Sequence, residues 1–167
     1  MRAQSGFVMI FLLILILIFV VLFLVTIGST MKNTEYTQLY STNLLLSILR
    51  SDTGYPDPEC KLVSDAIYCT FMNSEHICSG SGLSCKEVAE ENVRYYLDYD
   101  NGIAKKSYKH LIIAEPDWTA IDGSGQIIRF AVGDEDLLNP RGKKTAVNEI
   151  VGSGSYILNI RLLVTES

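Results

Sequence analysis

The chain has 167 residues and carries a formal charge of −5, from 14 basic and 19 acidic side chains. Arg2 and Lys32 flank one apolar run, and the remainder from Asn33 onward holds 12 basic against 19 acidic residues, a net of −7. That balance excludes the basic face that nucleic acid requires, and it argues against a body lying flat on an anionic membrane.

The first element is an uncharged run of 21 residues, Phe7 to Ile27, apolar except for Thr26. At about 1.5 Å of rise per residue it spans roughly 30 Å as a helix, the thickness of the hydrocarbon core of a bilayer. A cleaved signal peptide has an apolar region of only about 7 to 15 residues followed by a small-residue cleavage site. Val25-Thr26-Ile27-Gly28-Ser29-Thr30 fits such a site poorly. The run is apolar on every side, as a lipid-exposed or fully buried helix is. The expectation is a transmembrane anchor over residues 1–32 and one extracytoplasmic domain over 33–167. Arg2 and the terminal amine stand against Lys32 alone, which places the N-terminus in the cytoplasm.

Gly28-Ser29-Thr30 is a place where the helix can loosen, but helical spacing resumes over Asn33–Arg50. Tyr36, Tyr40, Leu44, Ser47 and Ile48, with Leu39 beside them, form one predicted packing stripe. Gly54 and the prolines of Tyr55-Pro56-Asp57-Pro58 are read as the stop signal of that helix. A second helix is expected over Lys61–Met72, with Leu62, Val63, Ala66, Ile67 and Phe71 inward. Ser84-Cys85-Lys86-Glu87 matches a capping box. The helix it opens presents Cys85, Val88, Ala89, Val93, Tyr96 and Leu97, and ends before Asn101-Gly102.

From Ser107 onward the period changes from helical to strand-like. Strands are expected over Tyr108–Ala114, closed by Pro116, and over Ile127–Val132, with Ile128, Phe130 and Val132 on one face. A hairpin of Ala146–Val151 with Tyr156–Val164 follows across Gly152-Ser153-Gly154. Tyr156, Leu158, Ile160, Leu162 and Val164 are its expected apolar face. Helices first and strands afterward predict an α+β body with helices packed on one face of a small antiparallel sheet.

Cys60, Cys69, Cys78 and Cys85 are an even number within 26 residues, as in a disulfide framework formed in an oxidising compartment. Zinc sites need close pairs, whereas the gaps here are eight, eight and six residues. A helix over 61–72 would hold Cys60 and Cys69 roughly 13 Å apart, beyond the about 7 Å a bridge tolerates. Two patterns remain, and the nested one, Cys60 with Cys85 and Cys69 with Cys78, is the preferred expectation.

An apolar N-terminal helix that continues into a soluble helix and is followed by a small antiparallel sheet resembles the type IV pilin-like superfamily. Arg2-Ala3-Gln4-Ser5 resembles the archaeal class III signal sequence, which implies processing at Arg2, Ala3 and Gln4 before the apolar run. The bacterial form is also legible at Gly6-Phe7. Many pilins carry a glutamate at the fifth mature position. Here that position is Val8 counted from Gln4, or Phe11 counted from Phe7, so the resemblance is to an atypical member.

The sequence offers no catalytic constellation. His76 and His110 are the only histidines, no G-x-S-x-G occurs, and neither histidine is assigned a catalytic role. Asp98-x-Asp100-Asn101-Gly102 and Asp134-Glu135-Asp136 have the carboxylates of calcium ligands, but acidic turn residues are common without metal and both read as solvated turns. The resulting expectation is a non-enzymatic, membrane-anchored, pilin-like surface protein without cofactor or metal. Its partners are the membrane and other protein subunits, in a filament or other surface assembly. The competing reading is a single-pass tethered binding or sensory module that forms no filament.

Overall fold

The structure is a computed structural model that describes residues 2–98, 102–105, 107–139, 144–153 and 156–166, with the backbone alone for 2–10, 27–34 and 153. Its elements are α1 (Arg2–Leu49), α2 (Val63–Met72), α3 (Cys85–Leu97), β1 (Tyr108–Pro116), β2 (Phe130–Gly133), a 3-10 turn (Glu135–Leu138), β3 (Thr145–Ser153) and β4 (Tyr156–Glu166). The chain divides into two compact units, 1–37 and 38–167.

The first unit is the N-terminal part of α1, a single 48-residue helix that runs through Gly28-Ser29-Thr30 without a break. Every residue from Phe11 to Val25 is between 47% and 68% exposed. Thr26 does not interrupt the apolar surface with an unsatisfied hydroxyl, because its Oγ1 donates to the Leu22 carbonyl at 2.8 Å. Among the described residues no helix is long and apolar enough to cross a membrane. The part of the run with described side chains is Phe11–Thr26, sixteen residues, against the roughly 20 that a span needs.

The second unit is an α+β body. Its sheet is antiparallel throughout, in the order β2-β1-β4-β3. The alternation that predicted the strands sets its inner face: Leu158, Ile160, Leu162 and Val164 of β4 are fully buried. They lie in one core with Ile112 and Ala114 of β1, Phe130 and Val132 of β2, and Val147 of β3. Ile112 is opposite Leu162 and Ala114 opposite Ile160, so one register aligns the inward sets of both central strands. Leu111, on the opposite face, and Leu137 of the 3-10 turn are both buried outside this core. Gly133 closes β2 at a positive φ of 128°, where a side chain would run into the His110 carbonyl.

The helices supply the other half of the core, through Leu44, Leu45, Ile48 and Leu49 of α1, Val63, Ala66, Ile67 and Phe71 of α2, and Val88, Ala89 and Val93 of α3. At about 1.5 to 3 kcal/mol for each large apolar side chain buried, these stripes fix the body. The capping box forms as its spacing demands: Glu87 N–H donates to Ser84 Oγ at 3.3 Å and Ser84 N–H to Glu87 Oε2 at 2.8 Å.

Four expectations need correction. The α1 stripe holds at Tyr40, Leu44 and Ile48 but is shifted at its edge: Ser41 is buried, while Leu39 is 63% exposed and Ser47 also lies outward. One residue is about 100° of helix, so a stripe misplaced by one position moves to a different face. Gly54 does not cap α1, which ends at Leu49; it sits in a later turn at φ 83°, its N–H donating to Asp52 Oδ1 at 2.7 Å. The second strand starts at Phe130 rather than Ile127, since Ile127 makes only an isolated bridge to Ile121. Tyr156 does not join the inner face; it is 47% exposed, with its ring edge-on to Trp118 at 5.3 Å.

Candidate functional site

The densest chemistry in the body surrounds the four cysteines. After α1, residues 51–53 run back along 61–63: Thr53 N–H donates to the Lys61 carbonyl at 2.9 Å, and Val63 N–H to the Ser51 carbonyl at 3.0 Å. Cys60 is thereby fixed at the entrance to α2, and Cys69 follows on its last turns. A tight return places Cys78 N–H on the Leu83 carbonyl at 2.8 Å and Cys85 N–H on the His76 carbonyl at 3.2 Å. Cys85 then opens α3.

Both bridges are present, and they interleave: Cys60 pairs with Cys78 and Cys69 with Cys85, at Cα separations of 5.9 and 5.8 Å. The nested pairing is therefore corrected, while the exclusion of Cys60 with Cys69 stands. The reason is the return. It brings Cys78 back toward the start of α2 and leaves the first residue of α3 beside Cys69. Cys60, Cys78 and Cys85 are fully buried, and Cys69 is 4% exposed.

A carboxylate–histidine pair holds the same return. Asp57 is buried, and its Oδ2 accepts from Ser79 N–H at 2.9 Å and stands 3.0 Å from His76 Nε2. Its Oδ1 accepts from Glu59 N–H at 3.0 Å. The Ser79 amide, then the His76 ring, then the Glu59 amide hold the Asp57 carboxyl well below the usual carboxylate range. Glu59 Oε2 lies 3.6 Å from His76 Nδ1 and 3.6 Å from Cys69 Sγ. In the sequence Asp57 belongs to a helix stop signal, and nothing there joins it to His76. They are 19 residues apart, and the only signal for the pair was that each lies within three residues of a cysteine.

The Sγ atoms of Cys60, Cys78 and Cys85 converge within 4.8 Å, as do ligand atoms of Asp57, Cys60 and His76. With every one of those sulfurs in a disulfide, neither group offers a thiolate to a metal.

His110 lies elsewhere, on the inner face of β1. It is 2% exposed, and burial lowers its pKa from 6.5 to about 4. The Tyr40 hydroxyl accepts from Lys105 N–H at 2.9 Å and is 3.0 Å from His110 Nε2. With its pKa lowered by burial, the imidazole is neutral at pH 7. This histidine is a core residue of the helix–sheet junction.

Of the acidic clusters, Asp134 and Asp136 are committed to Lys109, at 3.1 and 3.4 Å. Asp134 also caps the 3-10 turn, its Oδ1 accepting from Asp136 N–H. The Asp98–Gly102 loop falls in part outside the described residues. Arg2, Ala3 and Gln4 are helical in backbone, and their side chains, like that of Val8, are outside the described set. Comparison of the chain with protein-family models, with curated proteins and with solved structures finds no match.

Proposed function

We propose that the chain is a non-enzymatic, membrane-anchored, pilin-like surface protein whose work is protein contact in a filament or other surface assembly. One observation carries this reading: a single helix presents apolar side chains, about half to two-thirds exposed, all the way round from Phe11 to Val25. Water does not tolerate such a surface, and the occupants that suit it are lipid or the apolar helices of further subunits. With Phe7–Ile10 and Ile27 the run reaches the length of a bilayer span. Two disulfides support a body on the oxidising side of the membrane. A net charge of −7 on that body supports protein rather than nucleic-acid partners.

Within this reading, Arg2-Ala3-Gln4 is the processing site and the helix behind it becomes the assembly element. Mass spectrometry of the mature N-terminus, combined with chemical cross-linking in intact membranes, tests it. A chain cut next to Gln4 and cross-linked into ladders of its own copies supports the pilin-like assembly. An uncut N-terminus with no ladder identifies the tethered module instead, and the absence of glutamate at Val8 and Phe11 is the feature that favours that second reading.

A further inference from the structure

The disulfide cluster contains a chemistry that the anchor reading does not use. Beside α2 is a cleft of about 290 Å³ whose lining includes Glu59, Asp65, Tyr68, Cys69 and Met72. Cys69 lines it; its bridge partner Cys85 does not. An incoming thiolate in the cleft therefore reaches Cys69 before Cys85. Cys85 is the natural leaving sulfur, because it is the first residue of the 13-residue helix α3, whose dipole stabilises negative charge at that end. Once released, that sulfur has a second disulfide next to it: Cys85 Sγ is 3.6 Å from Cys60 Sγ and 4.0 Å from Cys78 Sγ.

We propose that Cys69 is a thiol-exchange site for a small, positively charged thiol, and that Cys85 passes the exchange on to the Cys60–Cys78 bridge. In the first step the thiolate bonds to Cys69 Sγ, the Cys69–Cys85 bond breaks, and its electron pair leaves on Cys85 Sγ. In the second, Cys85 Sγ bonds to Cys60 Sγ, the Cys60–Cys78 bond breaks, and the electron pair leaves on Cys78 Sγ, where a proton from water completes a thiol. No net oxidant or reductant is consumed. Cys85 lies beside the second bridge rather than in line with it, so transfer follows rotation about its Cα–Cβ bond, which parting from Cys69 frees. The class of thiol is set by charge. Glu59 and Asp65 are acidic, no Lys or Arg is among the described lining residues, and the Glu59 carboxylate is 3.6 Å from the sulfur attacked.

The test uses the full chain in detergent micelles, limiting cysteamine, and a maleimide quench at increasing times, read by peptide mapping. The expected products are cysteamine on Cys69 with Cys85 alkylated at early times, then a Cys60–Cys85 peptide with Cys78 alkylated. Cysteamine found first on another cysteine, or no exchange in the folded protein, overturns the site. Cys85 remaining alkylated beside an intact Cys60–Cys78 bridge at all times overturns the transfer.

A second arm compares cysteamine with 2-mercaptoethanesulfonate, each rate normalised to the same thiol's attack on a small neutral disulfide. One unit charge at about 4 Å in water changes a rate by about fivefold. The two thiols differ by two charges, so cysteamine should lead by at least about tenfold at low salt, and less as salt is added. Glu59→Gln should remove most of that lead, since the same carboxylate acts on both charges. Equal normalised rates in the unmodified protein overturn the charge selection whether or not the variant folds.

Discussion

The two ends of α1 are both rich in leucine and isoleucine and have opposite surroundings. From Phe11 to Val25 no side chain is less than 47% exposed, whereas Leu44, Leu45, Ile48 and Leu49 are all at 4% or below. Both the number and the pattern of the apolar residues separate the two ends. The later segment alternates its leucines and isoleucine with Thr42, Asn43 and Ser47, which leaves a polar side for water and a stripe for the body. The earlier segment has no polar side and cannot be satisfied by one folded face. On the proposed function, one helix thus carries two instructions, to complete a core and to find an apolar medium.

The comparison is broken most severely by exchanging a charge into each end. Ile48→Asp places a carboxylate in a fully buried position of the body's core. It should cost more than about 4 kcal/mol and unfold the body, as seen in urea titration of the detergent-solubilised chain. Leu17→Arg, 58% exposed, should leave that titration unchanged. Its effect belongs to the other instruction: about 2.5 to 3.5 kcal/mol against insertion at a bilayer centre, read as loss from the membrane fraction. A Leu17→Arg chain that fractionates with membranes as the parent does would remove the apolar run as the retention element.

A smaller effect sharpens the account of the folded end through pH. The folded-state pKa of His110, about 4, lies below its ordinary 6.5, so the unfolded chain takes up the proton more readily. Stability from this group is full above about pH 6.5 and is lost as pH falls toward 4. The loss should be about 3 kcal/mol by pH 4. Asp57 adds a second decline at lower pH, since its carboxyl is held below the usual range and must be protonated to be lost. His110→Gln should flatten the first decline and leave the second. A parent whose stability is level between pH 6.5 and 4 would show that the imidazole is not excluded from water as its place in β1 implies.

What the sequence made legible was local. Period-two alternation located β4 and its buried face because a strand needs nothing beyond its own residues to reveal which side is apolar. Ser84 and Glu87 are three positions apart and report only on each other. Cysteine pairing is different in kind, since all four sulfurs lie close together and the choice among them depends on how the return after α2 is folded. The Asp57–His76 pair depends on that same return, so it was illegible for the same reason. The α1 stripe failed more subtly. Tyr36 and Leu39 have apolar surface and the right spacing, but Tyr36 is 50% and Leu39 63% exposed, and the buried set is Ser41, Leu44, Leu45, Ile48 and Leu49. Composition ranks leucine above serine for burial, yet within one helix the direction of the neighbouring core decides.

That failure supplies the smallest and most discriminating test. If Leu39 belonged to the packing stripe, Leu39→Ala would remove buried methyl groups and cost roughly 2 to 5 kcal/mol, as core leucines do. In the structure the side chain is 63% exposed, so truncation removes little that is shielded from water and alanine's helix propensity offsets part of the loss. The expected change in body stability is below about 0.5 kcal/mol. Leu39 also stands where the helix passes from its apolar to its stripe-bearing part, which gives the measurement a second use. A substitution that leaves urea stability unchanged but weakens cross-linking between copies would assign Leu39 to the assembly surface. One that destabilises the body by 2 kcal/mol or more would return it to the stripe and move the boundary between the two instructions toward the N-terminus.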